Sequence, residues 1–208
     1  MVRMWFLRTL DILFPPRPSE RAVRAATADA VCALLSPITL PLETPSVALL
    51  PYRNELIRSL ILETKFKDNE RAASLLGAAL EDFLLEYLAE HFPNQTPVLV
   101  PIPLSAKRER TRGYNQVQRV CAAALPRLPV HFAPDVLTRT KDTMPQTELS
   151  GRERRTNLEG AFTATNVDPS AIYIVVDDVT TTGTTLTGAC EALKAAGASE
   201  VLMLALAH

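Results

Sequence analysis

The chain has 208 residues, 47% hydrophobic and 22% charged, with a net charge of −1. This is the balance of a globular protein with room for one full-sized domain and an appendage, and it excludes attraction to nucleic acid or membranes through overall charge. No apolar run reaches the roughly 20 residues of a membrane helix, so no stable membrane insertion is expected.

Val2, Trp5, Phe6, Leu10 and Leu13 recur at helical spacing and predict a helix docked on the body. The same stretch lacks a long apolar region and a small-residue cleavage site, so it does not read as a signal peptide. Phe14-Pro-Pro-Arg-Pro18 stops this helix, and a second is expected from Ser19, as N-cap, to about Leu35. The three prolines between Ser36 and Pro45 mark a linker or extended crossing. Val47–Leu50 is a short strand candidate. Arg53 to Thr64 reads as a helix with Leu56, Ile57, Leu60 and Ile61 inward, followed by a basic tip, Lys65-Phe-Lys67. A long amphipathic helix follows from Glu70 to His91, then a buried strand at Pro97–Pro101.

After that strand comes a loop, Leu104–Arg112, in which Lys107, Arg108, Arg110 and Arg112 crowd four cations into six positions. Guanidinium forks match the oxygens of a phosphate chain, and Pro101 and Pro103 stiffen the approach. Gly113 allows a tight turn into a helix from Tyr114 to Leu125. Strand-like pieces sit at Val136–Arg139 and Ile172–Asp177, with a last strand at Glu200–Ala207. Between the first two lies a polar, cation-rich stretch, Leu137 to Phe162, with a short helix expected near Ser150; it reads as a lid that closes over a developing anion. Strands alternating with helices predict an α/β fold with a mostly parallel sheet flanked by helices, its ligand at the carboxyl ends of the strands. Cys32, Cys121 and Cys190 are scattered and form no C-x-x-C pair, which suits small buried residues in a reducing, cytoplasmic setting.

The most informative stretch joins the apolar run Ile172–Val176 to Asp177 and Asp178, then to Thr181, Thr182, Gly183, Thr184 and Thr185, with a helix from Leu186 to Ala196. Backbone N–H groups and hydroxyls at a helix start suit a phosphate, and paired carboxylates suit vicinal sugar hydroxyls. It is neither a Walker loop nor G-x-G-x-x-G. The loop is similar to the ribose-5-phosphate loop of type I phosphoribosyltransferases, which bind 5-phosphoribosyl-1-pyrophosphate (PRPP). Some of those carry an acid at the place of Thr181 to assist a purine base; threonine here disfavours that purine chemistry.

Pro101-x-Pro103, Arg108, Arg112-Gly-Tyr-Asn-Gln116, Thr143-x-Pro-Gln146, Arg155-x-Asn157 and Gly160-Ala-Phe162 together resemble the ComF family, as do Tyr52 and Lys65-Phe-Lys67. These are bacterial type I phosphoribosyltransferase-like proteins linked to DNA uptake in competence. The resemblance covers about residues 47–208 and implies a phosphoribosyltransferase-like domain there, with 1–46 as a helical accessory region. Such proteins usually carry an N-terminal cysteine zinc module. Residues 1–50 offer only Cys32 and no histidine, so a zinc-less variant is expected.

The resemblance further implies PRPP bound with Mg²⁺, and phosphoribosyl transfer to an unidentified nucleophilic acceptor with release of pyrophosphate. Asp177 and Asp178 would hold the ribose, and Thr181–Thr185 the 5-phosphate. Leu104, Ser105, Lys107, Arg108 and Arg112 would face the pyrophosphate. Mg²⁺ would arrive with PRPP near Asp177 and Asp178 rather than on a dedicated protein site. Arg139 and Lys141 are the expected catalytic lid cations, with Arg152 and Arg155 behind them. The alternative is a non-catalytic, PRPP-responsive module whose basic loops contact single-stranded DNA, with stacking from Phe66 or Tyr114. The oligomeric state stays open, a homo-oligomer included.

Overall fold

The structure, a computed structural model, describes residues 16–140 and 160–208. Its first element, α1 (Pro18–Ala25), carries Pro18 in the first turn, where a missing N–H costs nothing. Ser19, expected as N-cap, lies inside this helix and donates its hydroxyl to Glu63 at 2.7 Å. The single helix expected from Ser19 to Leu35 is two. The backbone turns extended at Ala26 and Thr27, and the Thr27 hydroxyl caps α2 (Ala28–Cys32) by accepting the Ala30 N–H. Within the expected linker, β1 (Ile38–Thr39) runs antiparallel to β2 (Ser46–Leu50).

Asn54 and Asn69 cap α3 (Glu55–Lys67) and α4 (Glu70–His91) with their side-chain oxygens. Lys65-Phe-Lys67 is thus the last turn of α3 rather than a tip beyond it. After β3 (Val98–Pro101), most of the expected loop is helical. Ser105 caps α5 (Ala106–Arg112), and Gly113 ends it in the left-handed region at φ 81°. The chain continues through α6 (Gln116–Ala124), β4 (His131–Phe132), β5 (Leu137–Arg139), β6 (Phe162–Ala164), β7 (Ile172–Val179), α7 (Thr184–Ala195) and β8 (Glu200–Ala207).

The main sheet has the order β1-β2-β8-β7-β3-β4, parallel at every pair except β1–β2. The expected mostly parallel sheet flanked by helices is present. Val136–Arg139 does not join it: β5 pairs antiparallel with β6 in a separate two-stranded sheet. Side chains alternate along β7, so Ile174 and Val176 enter a core with α3, α4 and α6, shared by Val23 and Val31. Tyr173 and Val175 enter the other core, with Leu186 and Leu193 of α7 and Leu137 and Phe162 of the small hairpin. Both faces of β7 and β8 are therefore covered, and their apolar runs are buried almost without a break. Among the described residues no helix is long and apolar enough to cross a membrane. The helix expected over Val2–Leu13, the helix near Ser150, and Lys141, Thr143, Gln146, Arg152, Arg155 and Asn157 lie outside the described residues.

Glu63, 2% exposed, ties α1 to α3. Its carboxylate accepts from Ser19, from the Arg17 fork and from Asn69 at 3.2 Å. Burial alone pushes its pKa up, but these donors and the Arg17 charge together hold it below the usual carboxylate value. Its stabilisation is then complete above about pH 4 and is lost as pH falls through the depressed pKa. Glu63→Gln is expected to cost about 1–3 kcal/mol at pH 7 in thermal unfolding. The deficit should shrink towards pH 3; an equal deficit at both pH values would show that the charge is irrelevant.

Candidate functional site

β7 lies between β8 and β3, so its carboxyl end delivers Asp177 and Asp178 to the middle of the sheet edge. Alternation sends the two carboxylates to opposite faces: Asp177 to the α7 side, Asp178 to the side of α3 and α6. Asp178 is 7% exposed, and both of its oxygens have partners. One of its oxygens accepts the Val179 N–H at 2.8 Å; the other accepts the Gln116 amide at 2.9 Å and faces the Lys65 ammonium at 3.3 Å. Asp177, 9% exposed, accepts the Asp178 N–H at 2.8 Å. Burial, and then the neighbouring Asp178 carboxylate, pushes its carboxyl up to about 7.

That shift carries a sign. The folded chain keeps the Asp177 proton up to about pH 7, whereas an unfolded chain releases it near pH 4, so this group makes stability fall as pH rises between those values. Asp177→Asn removes the effect. The variant should melt above the wild type at pH 8 and beside it at pH 4; a lower melting temperature at pH 8 would contradict the assignment.

The loop after β7 is held by Thr180, whose buried hydroxyl accepts the Gly183 N–H at 3.1 Å. Gly183 sits at φ 72°, in the left-handed region, and a Cβ there would stand 2.5 Å from a Leu42 methyl. Leu42, from the β1–β2 connection, therefore packs directly on the loop. The helix begins at Thr184, two residues before the expected Leu186, because Gly183 serves as N-cap. Gly183 brings no side-chain cap, and the helix start lies at the positive end of the helix dipole. Thr181 and Thr182 are exposed, and the Thr182 and Thr184 hydroxyls are 2.6 Å apart. A cavity of about 580 Å³ adjoins the outer flank of this loop between Leu42, Thr44, Thr184, Thr187 and Glu191; the acid pair does not line it.

The cation-rich element meets the acid pair because β3 is the neighbour of β7. Pro101 is opposite Val176, and the Ile102 N–H donates to the Val176 carbonyl at 2.8 Å. Asn115 donates to the Ile102 carbonyl at 2.9 Å and caps α6, which fixes Gln116 beneath Asp178. Arg112, half-buried, donates to the Gln116 amide oxygen, and burial lowers its pKa from the usual arginine value. Arg112–Gln116–Asp178 thus joins two of the expected site elements. Leu104 is half-buried, Ser105 is buried as the α5 cap, and Lys107 and Arg108 are exposed on α5, as is Arg110. Arg139 lies on β5 with its guanidinium 5.3 Å over the Phe162 ring. Sequence reasoning missed the contacts of Lys65, Gln116, Thr180 and Leu42 with the site. Each depends on chain crossings that no local pattern reports, although Lys65 and Gln116 stood in the residues that carry the resemblance.

No family model matches the chain. It is 34% identical over 147 residues to DNA utilization protein YhgH of Escherichia coli O157:H7, covering 68% of this chain and 63% of that one. With Competence protein F of Haemophilus influenzae it shares 30% over 156 residues, 74% of this chain and 66% of that one. Competence protein ComFC of Bacillus subtilis is 30% identical over 156 residues, 73% of this chain and 60% of that one. The chain thus spans 60 to 66% of the length of these curated relatives. Among solved structures, a hypoxanthine phosphoribosyltransferase from Staphylococcus aureus superposes at TM-score 0.37 and 12% identity, covering 70% of each chain. An orotate phosphoribosyltransferase from Mycobacterium tuberculosis does so at 0.36 and 19%, covering 90% of this chain and 82% of that one.

Proposed function

This chain belongs to the ComF family of competence and DNA-utilization proteins, and from that premise we propose that it binds PRPP and transfers its phosphoribosyl group to an acceptor, in the service of DNA uptake. The observation that carries the reading is the Arg112–Gln116–Asp178 link, which sets a cationic element against an acid pair and a helix start with a glycine as its N-cap. In this reading 47–208 is the transferase-like domain and 1–46 its accessory region. Asp177 and Asp178 accept the ribose hydroxyls, and the Thr181–Thr185 hydroxyls and N–H groups hold the 5-phosphate. Lys107, Arg108 and Arg112 take the pyrophosphate, which Leu104 and Ser105 flank.

Mg²⁺ fits this donor set. Among the described residues no three His, Cys, Asp or Glu side chains converge as a cage, and Mg²⁺ is commonly held by one or two carboxylates with substrate phosphates completing its shell. Asp177 and Asp178 would supply that side, and the ion would neutralise charge on the pyrophosphate. The protein's own contribution is to orient C1 and the leaving group, while Arg139, with Lys141 beyond the described residues, offsets the charge that develops as the C1–O bond breaks. The acceptor's lone pair then forms the new bond at C1.

One observation favours the second reading, a non-catalytic module that contacts single-stranded nucleic acid. Phe66 is 59% exposed with Arg112 5.6 Å from its ring, between Lys65 and Lys67. One assay separates the two: PRPP, Mg²⁺ and a panel of bases, ammonia and amines, with pyrophosphate release measured. Acceptor-dependent release is expected; PRPP binding without release would overturn the transferase, and a steep salt dependence of single-strand binding would then support the module.

A further inference from the structure

Lys65, in the last turn of α3, reaches the acid pair. Its ammonium lies 3.3 Å from the Asp178 oxygen that also accepts from Gln116, while its side chain keeps 33% of its surface. The last turn of a helix favours a cation, so α3 supports the charge where it stands. The α3 terminus itself is anchored to α6: the Asp68 N–H donates to the Tyr114 hydroxyl at 2.9 Å, and Arg119 pairs with the Asp68 carboxylate at 3.0 Å. An ammonium carries three N–H donors, and that of Lys65 is held by its ion pair with Asp178 at the carboxyl end of β7, where Gln116 ties Arg112 to the same Asp178 oxygen.

We propose that Lys65 is a further cation of the pyrophosphate subsite: Asp178 holds its ammonium in place, and its remaining N–H groups meet the pyrophosphate of PRPP. The inference rests on the PRPP reading and extends it, because it makes Lys65 a residue that distinguishes PRPP from ribose 5-phosphate. Both ligands share the ribose and the 5-phosphate, which Asp177, Asp178 and the threonine loop take. Only PRPP presents an anion beyond C1. Asp178 keeps its Val179 and Gln116 partners when Lys65 is removed, so the ribose side stays formed.

The test is calorimetric titration of the full chain with PRPP and, separately, ribose 5-phosphate, each with Mg²⁺, for the wild type, Lys65→Met and Lys65→Arg. Unaltered thermal unfolding of both variants serves as the control. Lys65→Met should bind PRPP about tenfold more weakly, as expected for one lost charge-assisted contact, and ribose 5-phosphate within about twofold of the wild type. Lys65→Arg should recover most of the PRPP affinity. Equal losses for both ligands would mean that Lys65 acts only through Asp178 and would overturn the proposal, as would unchanged PRPP affinity. A wild type that binds neither ligand would instead remove the PRPP reading itself, and Lys65 with it.

Discussion

Asp178→Asn combined with Thr182→Val is expected to weaken PRPP binding by about a hundredfold while the chain stays folded. The asparagine cannot offer a charged acceptor to a ribose hydroxyl, and charged acceptors form the stronger bonds. The neutral amide also loses the ion pair with Lys65 and weakens the acceptor that Gln116 meets in the wild type. Valine preserves the shape of Thr182 but deletes the hydroxyl that stands 2.6 Å from that of Thr184. Thr182 is exposed and asparagine keeps the size of the buried Asp178, so neither change leaves a cavity in the apolar core. Calorimetry with an accompanying melting curve reads the result. Unchanged affinity in the double variant would move the site elsewhere.

Gly77→Val is the second large effect, and it falls on stability. At Gly77, α4 passes close against α6: a Cβ there would lie 2.7 Å from the Ala123 Cβ and 3.1 Å from the Val120 carbonyl oxygen. A glycine-to-alanine change in a helix usually gains about 1 kcal/mol, but here the added atoms meet backbone and a Cβ, which cannot turn aside. The helices must part, and overpacking of this kind costs about 3 kcal/mol, a melting shift of about 6–12 °C in a chain of this size. Because α6 carries Asn115 and Gln116 to the acid pair, the site should loosen with it. Gly113→Ala is the contrast. Nothing lies within 4 Å of a Cβ there, so only the strain of φ 81° remains, about 1–2 kcal/mol. Equal losses in the two variants would mean that the α4–α6 approach is not tight.

The strand, turn and helix around Asp177 and Asp178 were legible because several signals agreed: an apolar run rich in β-branched residues, two acids towards its end, and threonines around one glycine. α4 was legible to both its ends, Glu70 and His91, because its apolar spacing runs unbroken over six turns. The break at Ala26–Thr27 was not. Alanine favours helix on either side, and Thr27 earns its capping role only once Val23 and Val31 must face one core. The helix within Leu104–Arg112 could have been found, since Ser105 and Gly113 bracket it as cap and left-handed stop, but two prolines and four cations argued for a loop. β4 and β6 are two and three residues long, too short for an alternation to declare itself. Lys65 was the deepest omission. Its pattern is that of a solvated turn, and only the approach of α3 to the end of β7 gives the ammonium a carboxylate.

The central claim is a divided site, one half for the ribose phosphate and the other for pyrophosphate, and titration of the full chain with PRPP in the presence of Mg²⁺ tests it most directly. Saturable binding of one PRPP per chain is expected, tighter than that of ribose 5-phosphate or of pyrophosphate alone, because PRPP engages both halves at once. Binding of pyrophosphate as tight as that of PRPP, or no saturable heat with PRPP at all, would contradict it.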